Sequence, residues 1–222
     1  MRKAMISSAA AALYFLILSV AAVSQDVPAR EVKGQVIRST ERLAAVLEFS
    51  KDFKYAGSQK FILYNVANAE QHFFVDADSN GRINRLYWVQ FEGYLPSNNH
   101  RYDYNSPKTV NIGGFDFFAD ATSWKATSTE LKPDSDGAHA RAFLAGKGYT
   151  FSGSDFITQR LVHLTDERKR DELMIIYLED MAPLGVTAAD VGKGGKAEAK
   201  WPEIADALLV RAQKEMRVSK KK

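Results

Sequence analysis

Asn80-Gly81, set inside FFVDADSNGRINRLYWVQFE (73–92), constrains this chain more than any other feature. On either side lie runs rich in aromatic and β-branched residues. An Asn-Gly pair between two such runs predicts a β-hairpin, because both residues tolerate the positive φ that a tight turn demands. With these two at the turn, Ser79 faces Arg82, and the ladder pairs Asp78 with Ile83, Asp76 with Arg85, Val75 with Leu86 and Phe74 with Tyr87. Side chains alternate along a strand, so one face should carry Phe73, Val75, Leu86 and Trp88. The other should carry His72, Phe74, Ile83, Tyr87, Val89 and Phe91. Both sets are apolar, which predicts a central hairpin covered on both sides.

The polar centre has a second reading. Asp76, Asp78 and Asn80 stand at alternate positions before a turn glycine and apolar Ile83, as in the first eight positions of an EF-hand loop, where oxygen ligands suit a hard cation. The twelfth position, which should supply a bidentate glutamate, is Tyr87, and the flanks lack a helical period. An EF-hand is therefore excluded. A weak calcium or magnesium loop of Asp76, Asp78 and Asn80 is the alternative to a metal-free hairpin, in which Arg85 pairs with Asp76.

The rest of the chain continues the β pattern. RLAAVLEFS (42–50), QKFILYNV (59–66) and KTVNIGGFDFFADATSW (108–124) read as strands, the last with a bulge or bend at Gly113-Gly114. DFITQRLVHL (155–164) and ELMIIYLEDM (172–181) form a second hairpin across the charged connection TDERKRD. AHARAFLAGKG (138–148) predicts a short helix capped by Asp134 or Asp136 and stopped by Gly146 or Gly148. Near the end, Trp201, Ile204, Ala205, Leu208 and Leu209 recur at helical spacing behind Pro202, which suits a first helical turn. The expected fold is α+β: an antiparallel sheet of six to eight strands, strongly curved or not, packed by the C-terminal amphipathic helix and one shorter helix. A closed β-barrel is the alternative.

At the other end, Arg2 and Lys3 precede the apolar run 9–23 and small residues at Ala22 and Ser24, the pattern of a cleavable secretory signal cut after Ser24. The run is shorter than the roughly 20 residues a spanning helix needs, so no stable membrane anchor is expected. The expected organisation is a signal over 1–24, a single domain over 25–216 and a basic, frayed tail over 217–222, in a periplasmic or secreted protein. The formal charge of +3 becomes +1 once Arg2 and Lys3 are removed, and such a balance does not suit a dedicated nucleic-acid binder. The chain has no cysteine, which excludes thiol catalysis, zinc–cysteine sites and covalent c-type haem.

Chemistry is harder to place. No two of the four histidines (His72, His100, His139 and His163) stand at metal-ligand spacing, and neither a nucleophile elbow nor a P-loop is present. GVTAADVGKGGKAEAK (185–200) reads instead as a turn capped by Thr187 and a glycine–lysine connector. Aromatic residues are dense from Tyr87 to Trp124 and suit either a core or a pocket for an apolar ligand or a sugar. Loops carry function more often than strands do, so the candidate ligand-binding residues are His100, Arg101, Tyr102, Asp103 and Tyr104 of the loop 95–107, with Trp124. The expected function is non-catalytic binding of a small molecule or a protein, without a cofactor. The rivals are a cofactor-independent hydrolase with a site near that loop, and a carrier with an apolar cavity behind Trp88, Phe91, Phe115 and Phe117.

Overall fold

A computed structural model describes residues 30–125, 131–151 and 153–221. The expected secretion signal and its cut after Ser24 lie outside these residues. In chain order the elements are β1 (Arg30–Lys33), β2 (Val36–Ser39), β3 (Ala45–Phe49), β4 (Lys54–Leu63), β5 (Ala67–Ala77), β6 (Ile83–Tyr94), β7 (Lys108–Ile112) and β8 (Phe115–Trp124). Then follow α1 (Asp136–Gly146), β9 (Phe156–Leu164), β10 (Asp171–Asp180), α2 (Ala188–Val191), α3 (Trp201–Lys214) and β11 (Met216–Lys220).

The fold is α+β, with two antiparallel sheets rather than one. Seven strands run in the order β4-β5-β6-β10-β9-β8-β7, and four in the order β1-β2-β3-β11. The seven-stranded sheet keeps β4 and β7 as open edges, so it is not a closed barrel. No helix among the described residues is long and apolar enough to cross a membrane.

The central strands explain the layering. β10 reads LMIIYL through its middle and is buried on both faces, the pattern of a strand inside a sheet with layers on either side. On one face Phe74, Tyr87, Val89, Ile175 and Tyr177 join Ile37, Leu47 and Phe49 of the smaller sheet and Leu208, Leu209 and Ala212 of α3 in one core. The Tyr87 hydroxyl donates to the Ala212 carbonyl at 2.6 Å, tying the end of α3 to the sheet. On the other face Phe73, Val75, Leu86, Trp88, Ile176 and Leu178 pack against Ala140 and Leu144 of α1.

The hairpin of β5 and β6 keeps the expected register through Phe74–Tyr87, Val75–Leu86 and Asp76–Arg85. The turn differs. Only Gly81 has positive φ, +79°, and Asn80 does not. Asp78 N donates to the Arg82 carbonyl and Gly81 N to the Asp78 carbonyl, at 3.0 and 3.1 Å, which makes a three-residue loop with a left-handed glycine rather than a two-residue turn. The register then shifts, so that Ile83 pairs with Ala77 and not Asp78. That extra residue moves Ile83 to the opposite face from Tyr87, into the core with Phe73 and Val75.

Other departures have local causes. β1 and β2 are short strands, and β7 and β8 are two strands joined at Gly113-Gly114 rather than one bent strand. Ser135, not Asp134 or Asp136, caps α1, its hydroxyl accepting from Ala138 N at 3.1 Å. Thr187 does cap α2, in a reciprocal box with Asp190. The expected basic tail is strand β11, which pairs with β3 and buries Met216 and Val218. Arg217 and Ser219 face outward while the alternate Met216 and Val218 reach the core, a period-two pattern hidden by the basic run that follows.

Candidate functional site

The α1 face of the seven-stranded sheet carries two adjoining features, a buried polar ladder and an apolar cavity. The ladder begins at the edge of the sheet. Gln59, Gln71 and Gln90 are successive cross-strand partners on β4, β5 and β6. Gln59 donates to Gln71 at 2.8 Å, Gln71 to Gln90 at 2.7 Å and Gln90 to Glu92 at 2.6 Å. Gln59 and Gln71 also donate to the backbone carbonyls of His139 and Asp136, which fixes the first turns of α1 over the sheet.

The ladder ends at two carboxyl groups. Glu92 on β6 faces Glu172 on β10 directly, and their exposures are 7% and 3%. The loop 95–107 places a tyrosine on each: Tyr102 donates to Glu92 at 2.7 Å, and Tyr104 donates to Glu172. Burial raises Glu172 to about 8, with the nearby Glu92 pushing the same way against the Tyr104 hydrogen bond. Burial also raises Glu92, although Tyr102 and Gln90 both donate to it. At neutral pH Glu172 therefore holds its proton, since removing it would place a second charge in a low-dielectric site. Arg160, paired with Asp120 at 2.8 Å, lies 5.5 Å from the centre of the Tyr104 ring and closes this end.

Farther along the same face lies a cavity of about 270 Å³ between α1 and the sheet. Its walls include Leu86, Trp88, Trp124, Ala140, Phe151 and Ile176. Trp124 stacks on Phe156 with ring centres 5.0 Å apart and donates to Thr158 at 3.0 Å, so its indole is held. Arg141 lies at the wall with its guanidinium 5.7 Å from Trp124 and 5.9 Å from Phe151. Trp88 is 8% exposed, and its Nε1 is buried without a hydrogen-bond partner among the described residues. An indole N–H in that state is uncommon, because an unmet buried donor costs about 1–3 kcal/mol.

The structure separates the six residues expected to bind a ligand. Tyr102 and Tyr104 meet at the carboxyl pair, and Trp124 lines the cavity. His100, Arg101 and Asp103 are exposed; the His100 carbonyl accepts from Arg170, and Arg101 lines a separate open cavity. At the hairpin tip, Asp76 pairs with Arg85 at 2.7 Å, and one Asp78 oxygen accepts the backbone N–H groups of Asn80 and Arg82. These contacts account for both carboxylates, and among the described residues no group of three or more His, Asp or Glu side chains could hold a metal ion. The aromatic set behind Trp88 is also divided. Phe91, Phe115 and Phe117 fill the core on the opposite face, so they do not share a cavity with Trp88.

Sequence reasoning missed Glu92, Glu172 and the glutamines. The available signal was Gln90 and Glu92 at alternate positions of an otherwise apolar strand, opposite Glu172 at the start of another. His72, expected like His163 to be a hydrogen-bonded core or face histidine on a strand, is buried and hydrogen-bonded within a longer chain: Tyr55 Oη is 3.1 Å from its Nδ1, Glu70 is 2.9 Å from its Nε2, and Arg30 donates to Glu70 at 2.7 Å. Among the described residues neither His100 nor His163 is joined to a carboxylate, His163 being bonded to the Asp116 carbonyl. Comparison of the chain with protein-family models, with curated proteins and with solved structures returns no match.

Proposed function

We propose that this chain is an exported, non-catalytic binding protein whose ligand is a small, mostly apolar molecule seated between α1 and the seven-stranded sheet. The observation that carries this reading is the cavity of about 270 Å³, walled by two indoles and aliphatic side chains, beside an indole N–H with no partner among the described residues. Apolar walls with one or two placed polar groups are the usual make-up of a small-molecule site. The volume suits a single fused ring or a medium acyl chain. A ligand oxygen that meets Trp88 Nε1 after a small tilt of the ring would add orientation to the hydrophobic gain. Export rests on the cationic and apolar pattern of residues 2–24.

Two of the three tryptophans line this cavity, so ligand entry reports directly in fluorescence. Titration with 1-naphthol as the ring probe and decanol as the chain probe should give a saturable change. Ala140→Phe, which fills the cavity from α1, should abolish it and raise Tm. No saturable change with either probe, or the same change in the filled variant, rejects the reading.

A second reading, a cofactor-independent hydrolase near the loop 95–107, is supported by the Glu92–Glu172 pair beneath Tyr102 and Tyr104. Perturbed carboxyl groups held by a loop are candidates for acid–base work. Its test is ester hydrolysis from pH 5 to 9 by the wild type and by Glu172→Gln; equal rates in the two proteins end it.

A further inference from the structure

A second cavity, of about 550 Å³, opens at the end of the seven-stranded sheet and shares no wall residue with the apolar one. Four arginines line it, Arg42, Arg101, Arg168 and Arg170, against one carboxylate, Asp171. We infer that it is a binding site for a multiply charged oxyanion of the phosphate-monoester class.

These guanidinium groups are unequally occupied. Arg42 is paired with Asp171, and Arg168 with Asp166 at 2.9 Å. Arg170 donates to two neutral acceptors, the carbonyls of His100 at 3.1 Å and Leu95 at 2.9 Å. Its guanidinium lies 5.9 Å from the centre of the Tyr94 ring. No carboxylate among the described residues pairs with Arg170 or Arg101. Two cations thus face one opening without counter-charge, in a chain whose whole formal charge is only +3. Like charges held together in this way repel, and a bound dianion removes that cost while gaining charge-assisted hydrogen bonds.

The frame is also set in advance. Tyr94 N donates to the Arg170 carbonyl at 3.0 Å and Tyr102 N to the Lys169 carbonyl at 2.8 Å, which joins the loop 95–107 to the turn after β9. Lys169 holds a left-handed backbone, φ +57°, to make that turn. Arginine's planar fork matches oxyanion geometry in a way lysine does not. Tyr94 and Pro96 give the cavity a small apolar wall for whatever carries the anion. The neighbouring cavity around Arg30, Arg42 and Lys60 lacks this imbalance, because Glu41 and Glu70 also line it.

The chemistry fits a soluble phosphate ester or a lipid headgroup, and the test separates them. Calorimetric titration of the full chain with pyrophosphate and with glycerol phosphate, at constant ionic strength, should give saturable binding. Flotation with phosphatidylcholine vesicles, with and without phosphatidic acid, identifies a headgroup if the protein floats only with the acidic lipid. Arg101→Ala/Arg168→Ala should weaken binding by about tenfold or more. Lys33→Ala, on the smaller sheet, should leave it unchanged. Arg101→Glu is a second variant at an exposed side chain outside the core, so loss of binding there is not loss of fold. Saturable binding that is lost in the arginine variants supports the site. No saturable binding to any of the probes, or equal binding by wild type and variants, overturns it.

Discussion

Glu92 and Glu172 are cross-strand neighbours on β6 and β10, and each accepts a tyrosine hydroxyl from the same loop. Two acidic side chains that sit side by side in the interior cannot both ionise without cost.

Stability should therefore fall with rising pH over a defined window. Folded Glu172 keeps its proton to about pH 8, against an ordinary value of 4.5 in the unfolded chain. Between those values the folded state binds more protons, so stability is fully present below the window and is lost as pH rises through it. The loss attributable to Glu172 is on the order of 5 kcal/mol. Glu172→Gln should show a shallower decline from pH 5 to 8 in urea unfolding and be the more stable protein at pH 8. Parallel profiles would falsify the assignment.

Tyr87→Phe removes the bond to the Ala212 carbonyl, where both residues are 0% exposed. It should cost about 1–2 kcal/mol, because the carbonyl is left without a partner in a dry core. Burial pushes the Tyr87 hydroxyl well above its ordinary range, so this cost should be equal at pH 6 and pH 9. The difference in urea midpoint at the two pH values measures it.

Deleting residues 216–222 should destabilise the protein by about 2–4 kcal/mol, through loss of the burial of Met216 and Val218. It also bares the edge of β3, so the shortened protein should self-associate on size exclusion. A frayed tail would give neither result.

Gly81→Ala should be costly on two grounds. The residue has φ +79°, and an added Cβ would lie 2.1 Å from the Gly148 carbonyl oxygen. The tip is joined to the segment after α1 by hydrogen bonds from Thr150 N to the Gly81 carbonyl and from Ile83 N to the Thr150 carbonyl. We expect a loss of about 2 kcal/mol or more in thermal unfolding, with faster amide exchange at Ile83 and Thr150.

Much of the architecture was legible locally. The pairing of Asp76 with Arg85, the stripe of α3 and the Thr187 cap all follow from spacing between nearby residues. The face of Ile83 did not, because one extra residue beside the turn reverses alternation and nothing in the sequence marks it. β11 was obscured because three of the five residues of MRVSK are polar or basic and more lysines follow, while its partner β3 lies far away in the chain. The site was only partly legible for the same reason. Loop 95–107 stood out by composition, but not the glutamates beneath it.

By itself the sequence determined the local rules of this protein: where the chain turns, which segments are extended, and that packing must serve without disulfides. Tertiary structure alone decided which polar groups lose water together. Glu92 and Glu172, Trp88 and Trp124, and the four arginines are each drawn together from distant segments. Burial and mutual repulsion depend on distance in space, and strand order, which local periodicity does not encode, sets that distance.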